Sequence, residues 1–113
     1  MVAGPMDDAP TLEELQAAAD AAPDNAAAHH ALGLALLRKM RWDDAEATFG
    51  RAVELEPASP LFLRDLGRAR DAGGNPQTAL RAYEKGLAAA REAGDADMEK
   101  ELTQVVHRMK PFA

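Results

Sequence analysis

The sequence predicts an all-α fold in which antiparallel helix pairs stack side by side. The first observation is a repeat of 34 residues, which aligns residues 26–59 with residues 60–93 and Gly33 with Gly67. The second is composition, because 47% of the residues are hydrophobic but only 4% are aromatic, as is typical of closely packed helices rich in alanine and leucine. The third is that no segment shows the alternation of apolar and polar residues that predicts a strand.

The two copies of the repeat agree where two helices must approach each other closely. Small residues allow a close approach, and an aromatic ring can fill the remaining space between the helices. The matched pairs are Leu32 with Leu66, Gly33 with Gly67, Ala35 with Ala69, Ala45 with Ala79, Phe49 with Tyr83, and Val53 with Leu87. Each copy is therefore predicted to form one hairpin of two helices.

The repeated pattern resembles the tetratricopeptide repeat (TPR). The first copy carries the signature almost position for position, at Leu32, Gly33, Leu36, Trp42, Ala45, Phe49, Ala52 and Pro57. The second copy keeps Leu66, Gly67, Gly74, Ala79, Tyr83 and Leu87. It departs from the family at Arg70, where a large apolar residue is usual, at Gly86 and at Arg91. The resemblance implies a TPR-like α-solenoid, a right-handed superhelix of antiparallel helix pairs.

The flanking segments extend the repeat on both sides. The same offset applied backwards predicts half a repeat at residues 11–25, since Leu15, Ala18 and Pro23 align with Phe49, Ala52 and Pro57. At residues 95–109, an apolar stripe at helical spacing predicts a capping helix, with Met98, Leu102, Val105, Val106 and Met109 on one face. Residues 11–110 are thus expected to form a single domain. Residues 1–10 are expected to form a mobile tail.

Local signals predict where each helix begins. We expect helices at residues 11–22, 26–39, 43–56, 60–72, 76–93 and 95–109. Thr11 with Glu14, and Asp43 with Glu46, have the spacing of a capping box. Four further residues can cap the other helices, namely Asn25, Ser59, Asn75 and Asp95. Gly73 and Gly74 suit the turn of the second hairpin, whereas the equivalent turn at Met40 has no glycine.

The stacked hairpins predict a continuous core. A repeat of this kind cannot bury its apolar face alone, so its stability comes from its neighbours. The expected core residues are His29, Leu32, Leu36, Phe49 and Val53 in the first copy, and Leu63, Leu66, Leu80, Tyr83 and Leu87 in the second.

A second stripe on the first helix of each copy predicts the binding surface. It comprises His30, Leu34, Leu37 and Arg38, followed by Leu61, Arg64, Arg68 and Asp71. The family resemblance implies that these helices line a concave groove, with leucines as an apolar floor and Arg38, Arg64 and Arg68 able to grip carboxylates. The implied partner is a protein or peptide with an acidic, partly apolar segment. The alternative is that the arginines only solvate an alanine-rich surface and that the leucines pack beneath the capping helix.

One TPR subfamily can be tested directly from the sequence. Proteins that hold the acidic tails of heat-shock chaperones resemble one another in a clamp of lysine, asparagine and arginine on these helix faces. The corresponding positions here carry His30, Leu34 and Asp65 in one register, or Ala31, Leu61 and Asp65 in the other. A chaperone-tail clamp is therefore not expected.

Composition argues against several other functions. The net charge of −6 disfavours nucleic acid, which needs an excess of lysine and arginine. The absence of cysteine excludes disulfides and thiolate metal sites. His29 and His30 are adjacent and point about 100° apart on a helix, so they cannot share a metal. With no phosphate-binding loop or catalytic motif, we expect no enzyme activity, no cofactor and no metal.

The expected location is the cytoplasm, because neither a signal peptide nor a membrane-spanning segment is recognisable. The sequence leaves one alternative function open, namely a structural or self-association element or a fragment of a larger repeat array. A homo-oligomer is compatible with the uneven charge of the two halves but is not the favoured expectation.

Overall fold

The computed structural model describes residues 9–112, except for the side chain of Phe112. The predicted N-terminal tail therefore lies almost entirely outside the described residues. Within them there are six α-helices, a final 3-10 turn and no strand, so the all-α prediction is confirmed. The helices are α1 (Leu12–Ala21), α2 (Ala26–Arg38), α3 (Trp42–Leu55), α4 (Pro60–Ala72), α5 (Pro76–Ala93) and α6 (Ala96–Met109), and the 3-10 turn is Lys110–Phe112.

Side-chain caps determine where most of the helices begin. Thr11 Oγ1 accepts the backbone N–H of Glu14 at 3.1 Å, and the Glu14 carboxylate accepts the N–H of Thr11 at 2.8 Å, which completes the predicted capping box. Caps by Asn25, Ser59 and Asp95 are also confirmed, because each side chain accepts a backbone N–H of its helix.

One predicted cap is wrong, and another is correct in position but makes no side-chain hydrogen bond. Helix α3 begins at Trp42, so Asp43 lies within its first turn and cannot act as the cap. Glu46, the proposed partner of Asp43, instead accepts a hydrogen bond from Arg70 of α4 at 3.0 Å. Asn75 precedes α5 but makes no side-chain cap bond. There, Pro76 has no N–H to satisfy in the first turn and its fixed φ suits the helix.

The turns within the two full hairpins have the same left-handed residue. Met40 has φ of 61° and Gly74, its equivalent one repeat later, has φ of 89°. Glycine adopts this conformation freely, whereas a residue with a Cβ is strained in it. Met40 is 70% exposed, so packing of its side chain does not compensate for that strain.

The same close crossing recurs in both full hairpins. A methyl group placed on Gly33 would lie 2.5 Å from the ring of Phe49, and one placed on Gly67 would lie 2.7 Å from the ring of Tyr83. Only glycine fits at either place without movement of the ring. These two pairs bring the helices of each hairpin together, α2 onto α3 and α4 onto α5.

The core lies along the stack as three clusters of buried residues. Of the expected core residues, seven are buried, namely Leu32, Leu36, Phe49, Leu63, Leu66, Tyr83 and Leu87. His29, Val53 and Leu80 are only half-buried; Val53 and Leu80 still pack against the core clusters, whereas the assignment of His29 to the core is wrong. His29 Nε2 lies 2.8 Å from the carbonyl oxygen of Pro23, at the edge of the first hairpin. Leu102 of α6 is fully buried and closes the last cluster against Tyr83 and Leu87.

None of the helices within residues 9–112 is both long enough and apolar enough to span a membrane.

Candidate functional site

Contacts between alternate helices define the concave side of the stack. Helix α4 contacts α2 on one side and α6 on the other. In the other layer, α3 has no comparable contact with α1 or α5 within the described chain. Because the layer of α2, α4 and α6 is the closer one, the stack curves toward it, and these three helices line the inner face. We call this face the groove.

The apolar residues predicted for the groove are partly accessible. Leu34 and Leu37 on α2 are half-buried, because they also pack against the core of the first hairpin. Leu61, at the start of α4, is 37% exposed. The groove therefore has apolar side chains that a partner could cover, although Leu34 and Leu37 already contact the core on their inner side.

The three predicted arginines differ in how many of their guanidinium N–H groups already donate hydrogen bonds within the protein. Arg38 is exposed and makes no hydrogen bond or ion pair with other described residues. Arg68 is 49% exposed and uses only Nη1, which donates to Asp65 at 3.0 Å. Arg64 is bonded on two sides, since its Nε donates to Asp65 at 3.0 Å and its Nη1 to Glu101 of α6 at 3.2 Å. Arg38 and Arg68 thus retain N–H groups for a ligand, whereas Arg64 bridges α4 and α6.

A buried carboxylate lies beneath the centre of the groove. Asp65 is fully buried, with 0% of its surface exposed. Oδ1 accepts from Arg64 and Arg68, and Oδ2 lies 2.7 Å from Nε2 of His30. Burial alone would raise the pKa of Asp65, but the hydrogen bonds from His30, Arg64 and Arg68 outweigh it and lower that pKa below 3.8. Asp65 therefore stays charged and holds two helices of the groove together.

His30 is part of this framework. Its side chain is 14% exposed, and its ring centroid lies 4.8 Å from that of Phe62 and 5.7 Å from that of Phe49. The two rings and Asp65 hold the imidazole in place between α2 and α4. Of the predicted groove residues, His30 and Arg64 are thus structural, whereas Asp71 is exposed at the far end of α4.

Sequence reasoning missed the roles of Asp65 and Glu101. In the sequence, Asp65 stands out only as one of the positions where the residues of a chaperone-tail clamp are absent. A signal was present, because Asp65 lies between Phe62 and Leu66 on the buried side of α4, and Arg64 and Arg68 flank it at i−1 and i+3. An acid on an apolar face between two arginines predicts a buried ion pair. The pairing of Arg64 with Glu101 depends on how α6 stacks, and no local pattern predicts it.

The described residues offer no arrangement for a metal. No group of three or more histidine, aspartate or glutamate side chains lies close enough within residues 9–112 to hold an ion.

Comparison with known proteins shows what the chain is similar to. No family model matches the sequence. TPR repeat-containing protein PA0015 of Pseudomonas aeruginosa is 35% identical over 86 residues, which cover 76% of this chain and 82% of that protein. Among solved structures, protein BPP2914 of Bordetella parapertussis has a TM-score of 0.76 and 27% identity, covering 91% of this chain and 90% of its own.

A second solved structure has the same fold at lower sequence identity. The TPR2B domain of yeast Sti1, solved in complex with pHsp70, has a TM-score of 0.82 and 18% identity, covering 90% of this chain and 82% of that one. The 34-residue repeat, the glycine–ring crossings in both full hairpins and the similarity to the Pseudomonas protein agree with one another. The chain belongs to the tetratricopeptide repeat family.

Proposed function

We propose that this protein is a non-enzymatic interaction module that holds a segment of another protein in the groove. The observation that carries the proposal is the combination of partly accessible leucines with unused guanidinium N–H groups on the same face. Leu34, Leu37 and Leu61 supply apolar contact, and Arg38 and Arg68 can each donate to a carboxylate. The Sti1 domain, whose structure is a complex with pHsp70, supports a binding role for this fold.

The charges of the groove favour a particular kind of partner. Asp65 and Glu101 already neutralise Arg64 and part of the Arg68 charge. Of the three predicted groove arginines, Arg38 is the one without an internal partner among the described residues, and this favours an acidic residue in the ligand at the end of α2. Asp71, exposed on α4, favours a basic residue beside it. We therefore propose a partly apolar peptide or helix whose acidic residue pairs with Arg38.

Site-specific cross-linking tests this function. A photoreactive phenylalanine analogue replaces Leu61 in the full chain, which is irradiated in the cells from which the protein derives. The proposal predicts one dominant adduct, because a bound segment must cover Leu61. It also predicts that Arg38→Glu in the same chain reduces the adduct at least about tenfold, as expected for loss of a charge-assisted contact and gain of a repulsive one.

The matched control is the same analogue at Ala47, which is exposed on α3 outside the groove. An adduct that forms equally from Ala47 and Leu61, or none from Leu61, would contradict the proposal. Arg38 is the suitable site for charge reversal because it has no internal partner among the described residues. The charge reversal Arg64→Glu would instead place a second carboxylate beside the buried Asp65 and destabilise the folded protein.

A second candidate function, self-association, is favoured by one observation. Ala18 of α1 is exposed, whereas Ala52, its equivalent in the first full repeat, is completely buried. The face of α1 that corresponds to the inside of a hairpin thus has no helix against it within the described chain. Sedimentation over a wide range of concentrations distinguishes the two functions, because a constant monomer mass would exclude self-association.

A further inference from the structure

We propose a second interaction surface, on the outer side of the stack, that takes an extended acidic segment of a partner protein. The surface is a cleft of about 630 Å³ between α3 and α5, which we call the outer cleft. It exists because α3 and α5 do not contact each other and are joined only through α4. It lies on the face opposite the groove and does not depend on the function proposed above.

The floor of the outer cleft is apolar and belongs to the core. Leu63 and Leu66 of α4 form its base, with Val53 of α3 and Ala82 of α5 at the sides. Val53 is half-buried rather than buried, so part of its surface remains available to an occupant. Apolar side chains of a bound segment would be stabilised by burying this exposed surface of Val53.

Gly50 supports the assignment because the fold itself does not require a glycine there. It lies inside α3, where glycine weakens a helix relative to alanine, and its φ is not positive. A methyl group placed on it would meet no atom within 4 Å. Packing therefore does not explain it, unlike Gly33 and Gly67. At the wall of the outer cleft, it allows the backbone of a bound segment to approach α3 closely.

Cations surround the outer cleft. Arg81 and Lys85 lie one helical turn apart on α5, line the cleft, and make no hydrogen bond or ion pair with other described residues. The acidic residue of the lining, Glu54, is already paired with Arg51 at 3.3 Å. The surface thus has unpaired positive charge in a protein whose net charge is −6.

Arg70 adds a further hydrogen-bond donor at an unusual position, although its charge is paired with Glu46. Its equivalent in the first repeat is Leu36, which is buried in the core. Arg70 Nε donates to Glu46 at 3.0 Å and Nη1 donates to the carbonyl oxygen of Thr78 at 3.2 Å. Its Nη2 makes no hydrogen bond within the described chain and is not one of the buried polar atoms, so solvent reaches it. A carboxylate in the outer cleft would therefore meet Arg70, Arg81 and Lys85.

These features fit one kind of occupant. Carboxylates complement the unpaired cations Arg81 and Lys85, with a further N–H available on the Glu46-paired Arg70; one or two apolar side chains cover Val53 and the floor, and an extended backbone passes over Gly50. A second copy of this chain is the competing occupant, because its acidic residues offer the same charge. We infer an acidic segment of a different protein, and the test separates the two.

The test selects short random peptides displayed on phage against the immobilised full chain, and then measures synthetic copies of the selected sequences. The proposal predicts a class of peptides rich in Asp and Glu with Leu, Val or Met. The double variant Arg81→Glu, Lys85→Glu should weaken their binding at least about tenfold, because two attractive contacts become repulsive. Gly50→Leu should weaken it similarly by filling the cleft. Arg38→Glu, the groove variant, should leave it unchanged, and circular dichroism should show all variants folded.

Three results would overturn the proposal. The first is recovery of no acidic peptide class. The second is peptide binding that Arg38→Glu abolishes and that the outer-cleft variants leave intact, which would place the peptides in the groove. The third is a concentration-dependent dimer in sedimentation that the double variant Arg81→Glu, Lys85→Glu abolishes, which would identify a second copy as the occupant.

Discussion

Nε2 of His30 lies 2.7 Å from Oδ2 of Asp65, so a buried carboxylate of α4 is joined to α2 beneath the groove. Oδ1 of the same carboxylate accepts hydrogen bonds from Arg64 and Arg68, and Arg64 continues to Glu101 on α6. One connected set of side chains therefore links all three helices of the groove. The shape of the groove depends on a residue that is itself inaccessible to a ligand.

Asp65→Asn should destabilise the protein strongly. It removes the charge that faces two guanidinium groups in a buried site, and loss of one partner of a buried pair costs about 3 kcal/mol. Unfolding in urea at neutral pH measures the change. Glu101→Gln is the matched control, because its partly exposed pair with Arg64 should contribute less than about 1 kcal/mol. Equal effects of the two variants would show that Asp65 does not stabilise the groove.

The stability that Asp65 contributes should depend on pH in the acidic range. Since the pKa of Asp65 is lowered in the folded state, the unfolded chain binds the proton at higher pH. The stability that Asp65 contributes is complete above its unfolded pKa of about 4 and is lost as the pH falls through the folded value. As the pH falls from 5 through the folded pKa of Asp65, the wild-type protein should therefore lose more free energy of unfolding than the Asp65→Asn variant. Parallel losses in the two proteins would contradict the assignment.

Two glycines in the same hairpin should respond to alanine in opposite ways. Gly33→Ala forces a methyl group to 2.5 Å from the ring of Phe49 and should lower the free energy of unfolding by about 1 to 3 kcal/mol. Gly50→Ala meets no atom and should raise it by about 0.5 to 1 kcal/mol. Thermal unfolding measures both. A stabilising Gly33→Ala would mean that the close crossing of α2 and α3 is not required.

Met40→Gly should stabilise the first hairpin. The left-handed conformation of Met40 costs about 1 kcal/mol, and glycine removes that strain at the cost of a more flexible unfolded chain. We expect a net gain of up to about 1 kcal/mol in chemical denaturation. The reciprocal change at the equivalent turn, Gly74→Met, should destabilise. A loss of stability in both variants would indicate that the side chain of Met40 contributes to packing.

Tyr83 should titrate far above an ordinary tyrosine. Burial, and then the negative charge of Asp71, raise the pKa of Tyr83 to about 12. Because the folded pKa is the higher one, the stability that Tyr83 contributes is fully present below pH 10 and is lost as the pH rises from there through about 12. Tyr83 is the single tyrosine in the chain, so phenolate absorbance reports it alone. A midpoint near 10 in the folded protein would show that Tyr83 is not in the buried environment that the structure gives it.

The sequence was sufficient to predict the architecture because the TPR pattern is carried by small residues and rings at fixed spacing. Gly33 against Phe49 and Gly67 against Tyr83 are short-range relations within one hairpin, and they are visible as a repeat. Helix caps were predictable at Thr11, where the partner lies three residues away. The capping box at Asp43 does not form because α3 begins at Trp42, which places Asp43 inside the first turn, and Glu46 binds Arg70 of another helix instead.

The groove was harder to predict because its chemistry depends on contacts between hairpins. The stripe containing Arg64 and Arg68 was identifiable from helical spacing, but spacing does not reveal which arginines are already paired. Glu101 reaches Arg64 from a helix 37 residues away in the sequence. Arg38 could be distinguished from Arg64 only once the stacking of α2, α4 and α6 was known.

The most direct test of the central claim, that the groove holds a partner segment, maps that segment onto the protein by NMR. The segment recovered by cross-linking from Leu61 is titrated into isotope-labelled full-length chain, and changes in the backbone amide signals are followed. The account predicts that the largest changes lie on α2 and α4 around Leu34, Arg38 and Arg68, and that they are lost in Arg38→Glu. Changes confined to α1, α3 and α5 would contradict it.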